Sequence, residues 1–288
     1  MYQNAFPPPV QQPLRRGGSW WRAFLIGLLL FVITTIVMFL TGNPNLYPTV
    51  ILIGNFLIPV VFVAFLYDHR HFSNVTPWTI VTSFCIGGIL GVLGAAVLES
   101  LLLPVPSDPN QGMPLTTGLL VGLIEEGCKI LAVVILARRM NHTSAMDGLL
   151  LGGAVGMGFA ALESTGYAFT IFLTSGGHFG ASIVETIIRG VLSPFGHGVW
   201  TAILSAVLFR ESGPRRFRLT GAVILAYLFV SALHGCWNGL PHTIYFIIPP
   251  GIPISVTIII ISIIGIVTLA ILYRRSVAQQ MKQSMVVQ

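Results

Sequence analysis

Long apolar runs alternate with short polar segments along almost the whole chain. The runs lie at about residues 20–40, 49–67, 78–103, 117–137, 145–173, 181–209, 219–240 and 252–273. A helix of about 20 apolar residues crosses the hydrocarbon core of a bilayer. The pattern therefore predicts an all-α fold, a polytopic transmembrane helix bundle of about eight spans.

Basic residues occur in every second polar segment. The segments that begin near Thr41, Pro104, Thr174 and Pro241 contain no lysine or arginine. The alternate segments carry Arg70, Arg138, Arg139, Arg210, Arg215, Arg216 and Arg218. Because cytoplasmic loops are enriched in lysine and arginine, this asymmetry predicts that both termini lie in the cytoplasm.

The two ends of the chain differ from the middle. Residues 1–19 are rich in proline and glutamine, so we expect a disordered cytoplasmic tail. The first apolar run is too long for a signal peptide and lacks a small-residue cleavage site, so it is expected to remain as a span. We predict one membrane domain over residues 20–275 and a short cytoplasmic tail over residues 276–288.

Composition agrees with a membrane location. Hydrophobic residues make up 54% of the chain and charged residues 8%, too few to cover a water-facing surface. The net charge of +6 comes from short loops rather than from one basic face, which argues against a nucleic-acid partner. We expect a multi-pass integral protein of the cell membrane, in contact with membrane lipids.

The fourth run carries three charged residues near its centre, Glu125, Glu126 and Lys129. Glu125 and Lys129 are four positions apart and share a helix face. Ionisable side chains inside a bilayer are costly and usually face the bundle interior or a water-filled cavity. A structural ion pair is the alternative, although one lysine suits one carboxylate better than two.

The next three runs add Glu163, His197 and His234, with Asn238 one turn after His234. At a helical rise of about 1.5 Å per residue from the cytoplasmic ends, Glu125, Glu163, His197 and His234 all lie roughly 20–24 Å deep. A single intramembrane histidine is more often an ordinary core residue. Four helices with ionisable groups in one layer instead indicate a site.

Two further patterns occur in these runs. Glu185 and Arg189 are spaced for an ion pair nearer the outer face, either structural or in contact with substrate or a lipid head group.

Small residues that let helices approach closely recur every four positions, at Gly148, Gly152, Gly156 and Ala160. The fifth run is therefore predicted to be central and tightly packed.

The ionisable residues resemble the motifs of the PrsW family, which shares a wider superfamily with the type II CAAX prenyl proteases. A Glu-Glu-x-x-Lys motif, a Phe-x-x-x-Glu motif, a helical histidine and a His-x-x-x-Asn/Asp element occur in order within residues 120–240. They are matched by Glu125, Glu126 and Lys129, by Phe159 and Glu163, by His197, and by His234 and Asn238. The chain departs from the commoner Phe-x-x-x-Glu-Asn pattern by having Ser164.

The resemblance implies an intramembrane endopeptidase that hydrolyses peptide bonds of membrane protein substrates, single-pass or other. A carboxylate would deprotonate water, and a histidine or amide would stabilise the oxyanion. Glu125 or Glu126 would be the base, and the other groups would orient water or support the oxyanion and the leaving amine. The implied catalytic residues are Glu125, Glu126, Glu163, His197 and His234, with support from Lys129, Phe159, Arg189 and Asn238.

The resemblance leaves the cofactor open, because families of this superfamily have been labelled both metallo and glutamic. Glutamate and histidine are competent zinc ligands, and Glu163, His197 and His234 are the candidates. The chain has no His-Glu-x-x-His motif. We favour a site that needs no metal and keep zinc as the alternative.

Three other functions fit part of the pattern. A proton- or ion-coupled transporter also places acids and histidines at the midplane, but would be expected to show two similar halves. A catalytically silent scaffold would not need the full set of acids and histidines. A CAAX-type protease is expected to have arginine and histidine where this chain has Lys129 and Glu163.

Overall fold

The structure is a computed structural model that describes residues 18–286, apart from residues 71, 72, 74, 105–111, 141–143, 193, 241–243 and 249–251. Almost all of the predicted N-terminal tail falls outside these residues. The helices are α1 (Ser19–Thr41), α2 (Tyr47–Asp68), α3 (Pro77–Thr82), α4 (Gly88–Leu102), α5 (Leu115–Ala137), α6 (Ala145–Thr174), α7 (Phe179–Leu192), α8 (Pro194–Glu211), α9 (Gly221–Gly239) and α10 (Val256–Val286).

Seven helical segments of the described chain are long and apolar enough to cross a membrane. They are Ser19–Thr41, Pro44–Asp68, Pro77–Leu102, Ala145–Thr174, Phe179–Glu211, Gly221–Gly239 and Val256–Met281. Helix α5 has 23 residues and carries Glu125, Glu126 and Lys129 at its centre, and we count it as an eighth span. The predicted all-α transmembrane bundle is confirmed.

Some predicted boundaries differ from the structure. The third span is α3 and α4 joined by a π-helical turn, Ser83–Gly87. A small antiparallel hairpin of β1 (Tyr245–Ile248) and β2 (Ile252–Ser255) precedes α10, where the apolar pattern predicts the last helix from residue 252. Helix α10 also continues through most of the predicted C-terminal tail, to Val286.

Contacts at one end of the bundle place the start of α1 and the C-terminal part of α10 on the same side. Ser19 Oγ donates a hydrogen bond to Asp68 Oδ2, at the end of α2, over 2.8 Å. Tyr273 of α10 donates from its hydroxyl to the carbonyl of His69, next to that end of α2, over 2.9 Å. An even number of spans requires this arrangement, and the assignment of this side to the cytoplasm stays a prediction.

Helix α6 is central in the bundle. Every residue from Met146 to Ala161 is buried. A Cβ atom on Gly148, Gly152 or Gly156 would collide with a backbone carbonyl oxygen of α8. The two backbones therefore touch, as the small residues at four-residue spacing predict.

Glycines also bring α5 and α9 together. A Cβ atom on Gly122 of α5 would collide with the backbone of α9, and one on Gly235 of α9 with the backbone of α5. Because these glycines lie close to Glu126 and His234 in sequence, this contact holds the carboxylates of α5 next to the imidazole of α9.

Candidate active site

Lys129 is fully buried and contacts two carboxylates and an imidazole. Its Nζ lies 3.0 Å from Glu125 Oε2 and 2.8 Å from Glu126 Oε1. His197 Nδ1 lies 2.8 Å from the same nitrogen, and the Phe159 ring centroid lies 3.9 Å from it. A lysine ammonium has three N–H donors, so these three acceptors satisfy it completely.

His197 connects this cluster to α6. A lysine ammonium only donates, so His197 Nδ1 must accept and the ring proton must lie on Nε2. Nε2 is 3.1 Å from Glu163 Oε2, a suitable acceptor for that proton. The tautomer of His197 is thus set by Lys129 on one side and Glu163 on the other.

His234 has a similar arrangement on α9. Its Nδ1 lies 3.1 Å from Glu126 Oε1, and its Nε2 lies 3.7 Å from Glu125 Oε2. Glu126 also accepts a hydrogen bond from Thr201 Oγ1 over 3.3 Å and is wholly buried. With Glu126 bonded to Nδ1, the lone pair of Nε2 is directed toward Glu125.

Arg189 belongs to the same network, through α6 rather than through its own helix. Its Nη2 lies 2.7 Å from Glu163 Oε2, whereas its Nε lies 4.0 Å from Glu185 Oε1. The guanidinium also stacks 3.8 Å from the centroid of the Tyr167 ring. The predicted Glu185–Arg189 pair is therefore the longer of two, and the shorter one links Arg189 to the buried cluster.

One apolar helical segment, Phe179–Glu211, carries both Arg189 and His197. Arg189 lies on α7, whose described residues end at Leu192, and His197 lies on α8, whose described residues begin at Pro194. Pro194 has no N–H to donate to a helical hydrogen bond. Both helices direct a side chain toward Glu163 of α6.

An open cavity of about 570 Å³, a volume that includes the space open to the outside, adjoins the cluster. Its walls come from α6, α7, α9 and the first turns of α8 and α10. The lining residues include Glu163, Tyr167, Arg189, His197, Trp237 and Asn238. Asn238, predicted to support the oxyanion, lies on this wall. The cavity therefore leaves open space beside Glu163 and His197.

Glu99, Tyr167, Thr201 and Trp200 join the site although no sequence motif includes them. The Trp200 ring centroid lies 4.9 Å from that of His234. Glu99 of α4 interacts electrostatically with Glu125 and Glu163, and its Oε1 is buried without a hydrogen-bond partner in the described part of the chain. The available signal for Glu99 was its position as an acid inside the third apolar run.

Glu125, His197 and His234 form a group that could hold a metal ion. One ligand atom from each of Glu125, His197 and His234 lies within 4.8 Å of the others. Glu125 Oε2 is 3.7 Å from both His197 Nδ1 and His234 Nε2. Ligand atoms around a tetrahedral zinc ion lie roughly 3.4 Å apart, so the donor set fits once Lys129 Nζ moves away from Glu125 Oε2 and His197 Nδ1. Glu163, a predicted ligand, instead contacts the far nitrogen of His197.

The family comparison agrees with this geometry. Residues 76–270, about two thirds of the chain, match the family described as PrsW family intramembrane metalloprotease. The chain belongs to the PrsW family. No curated protein and no solved structure matches it.

Membership of the PrsW family makes the protein a multi-pass integral membrane peptidase. Its substrates are membrane proteins and its helices contact lipid. The match covers more than the motifs within residues 120–240, since it begins near α3 and ends within α10. It favours the protease interpretation over the transporter and the silent scaffold.

Proposed function

We propose that the protein hydrolyses peptide bonds in or beside the membrane-spanning segments of single-pass membrane proteins, at the cavity next to Glu163 and His197. One observation carries this proposal. Each of the two site histidines has a carboxylate on one ring nitrogen, and its other nitrogen lies 3.7 Å from Glu125 Oε2.

This arrangement supports a metal ion held by Glu125, His197 and His234. Metal-binding histidines almost always donate their second N–H to a carboxylate or carbonyl. Here Glu126 is the acceptor for His234, and Glu163 is the acceptor for His197. Two histidines and one glutamate with an open position are a ligand set of catalytic zinc. Bound there, zinc would supply Lewis acidity to the scissile carbonyl.

Glu163 is the residue best placed to move the proton. It lines the cavity, whereas Glu126 is fully buried and bonded to Lys129, His234 and Thr201. In this mechanism Glu163 takes a proton from the attacking water and returns it to the leaving amine. Glu126 instead orients His234. The general base is therefore Glu163 of α6 rather than Glu125 or Glu126 of α5, which the resemblance implies.

The other polar groups position the reactants. Arg189 and the Nε2–H of His197 both contact Glu163 Oε2, which fixes the direction of the carboxylate. The side-chain amide of Asn238 donates from the cavity wall to the developing oxyanion. Lys129 offsets part of the negative charge of Glu125 and Glu126.

Cleavage of labelled single-pass membrane peptides by the purified protein in detergent tests the proposal. Glu163→Gln, Glu125→Gln and His234→Ala should each lower the rate by about a hundredfold or more. Asp68→Asn and His178→Ala make the same kinds of chemical change at residues that do not line the cavity, and should leave the rate unchanged. A chelator should stop cleavage, and added zinc should restore it.

Two results would change the mechanism. Full activity of Glu163→Gln in a folded protein would exclude Glu163 as the base. Cleavage that resists the chelator but is lost in Glu125→Gln would indicate a metal-independent glutamate protease with Glu125 as the base.

A further inference from the structure

A second cavity lies where α6 begins and α8 ends, well away from the active site. It has a volume of about 310 Å³, including the part open to the outside, between α6, α8 and α10. Arg210 on its wall is thirteen residues beyond His197 on α8, a helical distance of about 20 Å. The catalytic mechanism uses none of its residues.

The polar side chains of this cavity are all hydrogen-bond donors or can act as donors. They are Arg210, Arg275, Ser276 and Gln279, and no carboxylate lines the cavity among the described residues. Arg210 binds Glu211 Oε1 through Nε and Nη2, at 3.0 Å and 2.9 Å. A guanidinium has five N–H groups, so Arg210 keeps donors for another acceptor. The cavity is therefore suited to an anion.

Ser276 adds a hydroxyl group beside the two arginines. Its side chain is only 5% exposed, and its Oγ has no hydrogen-bond partner in the described part of the chain. A buried hydroxyl without a partner costs free energy, so such groups are rare. Ser276 lines the cavity, and a rotation of its side chain would turn this hydroxyl toward an oxygen atom bound there.

The remaining walls are apolar and the cavity lies at the membrane surface. Ala145, Leu149, Ala206 and Leu272 complete the lining. The last membrane-spanning segment ends at Met281, so Arg275 and Ser276 lie within its final two turns. Basic pockets between transmembrane helices at this depth bind lipid head groups, with the acyl chains beside apolar residues.

We propose that this cavity binds the phosphate group of an anionic phospholipid. The phosphate oxygens accept hydrogen bonds from Arg275, Arg210 and Ser276, and the glycerol and acyl chains lie against Leu272. Free phosphate shares the head-group chemistry but cannot use the apolar wall, which is why the lipid is the preferred ligand.

Native mass spectrometry of the full chain tests the proposal, after purification in phosphatidylcholine nanodiscs titrated with phosphatidylglycerol. Arg275→Gln should weaken phosphatidylglycerol binding by about tenfold or more, since it removes a charged hydrogen bond. Ser276→Ala should weaken it by about threefold, and it removes only an unpaired hydroxyl, so the fold is preserved. Arg274→Gln is the matched control, because Arg274 is exposed and does not line the cavity.

The outcomes separate the alternatives. Selective loss in Arg275→Gln and Ser276→Ala, with no competition by equimolar inorganic phosphate, supports the lipid site. Equal loss in Arg274→Gln and Arg275→Gln would show a diffuse charge effect and overturn the proposal. Displacement of the lipid by inorganic phosphate at equal concentration would also overturn it, in favour of a site for free anions.

Discussion

Lys129 places a positive charge among the atoms that a metal ion would need. Its Nζ contacts both Glu125 Oε2 and His197 Nδ1, two of the proposed donors. A metal ion and the ammonium cannot both use the same lone pairs, so metal binding has to displace Lys129 toward Glu126. The side chain of Lys129 therefore competes with the metal in this site.

Lys129→Met is expected to bind zinc more tightly than the wild type. The change removes the competing cation and leaves the carboxylates of Glu125 and Glu126 without their partner. Titration against a fluorescent zinc chelator measures the affinity, and zinc should also raise the unfolding temperature more in the variant. A weaker zinc affinity in the folded variant would show that Lys129 supports the metal site rather than competing with it.

Glu99 is a second residue whose surroundings indicate an effect on the rate of peptide cleavage. Its buried Oε1 without a hydrogen-bond partner lies among the acids of the site, an expensive arrangement at membrane depth. Glu99→Gln is expected to slow peptide cleavage several-fold without loss of stability, because losing a nearby negative charge makes the Glu163 carboxylate a weaker base. Thermal unfolding and the pH profile of kcat check this, and a pH profile identical to that of the wild type would contradict it.

Motif spacing could predict which residues meet, but not how they pair. Glu125, His197 and His234 were expected in one layer from their depth along separate helices. The partner of Arg189 could not be predicted, because it depends on how α7 packs on α6. Local spacing alone favours Glu185, and the tertiary contact with Glu163 is shorter.

At the scale of elements, the contact between α6 and α8 fixes the distance from Glu163 to His197. Backbone atoms of α8 face Gly148, Gly152 and Gly156 directly. A sequence shows such a stripe of small residues, and this one correctly predicted a tightly packed helix. It does not show which neighbouring helix fills the groove.

Gly152→Ala is expected to destabilise the protein by about 1–3 kcal/mol, because the added methyl group overlaps the backbone of α8. Gly166→Ala is the matched control on the same helix, since a Cβ atom there meets nothing within 4 Å. Thermal unfolding in detergent compares the two variants. Equal stability of both would mean that α6 and α8 are less closely packed than described.

For the whole molecule, the charge asymmetry predicts the orientation in the membrane. His178, between α6 and α7, and Pro214, between α8 and α9, lie on exposed loops at opposite ends of the bundle. In a background without native cysteines, His178→Cys should react with a membrane-impermeant maleimide added to intact cells. Pro214→Cys should react only after permeabilisation, and the reverse pattern would invert the predicted topology.

The overall architecture was the most predictable level. Apolar runs of spanning length are set by bilayer thickness, so they identified the bundle and most helix ends within a few residues. The hairpin before α10 was not predicted, because a short apolar run is equally compatible with a strand and with a helix.

Helix α10 connects the catalytic cavity with the proposed lipid cavity. Ile258, in its first turn, lines the catalytic cavity, and Arg275 lines the proposed lipid cavity about 26 Å further along the same helix. A continuous helix is stiff, so a phospholipid held at Arg275 would restrain the wall that Ile258 contributes to the catalytic cavity. The composition of the surrounding membrane would then act on this protease as an effector, through one unbroken helix.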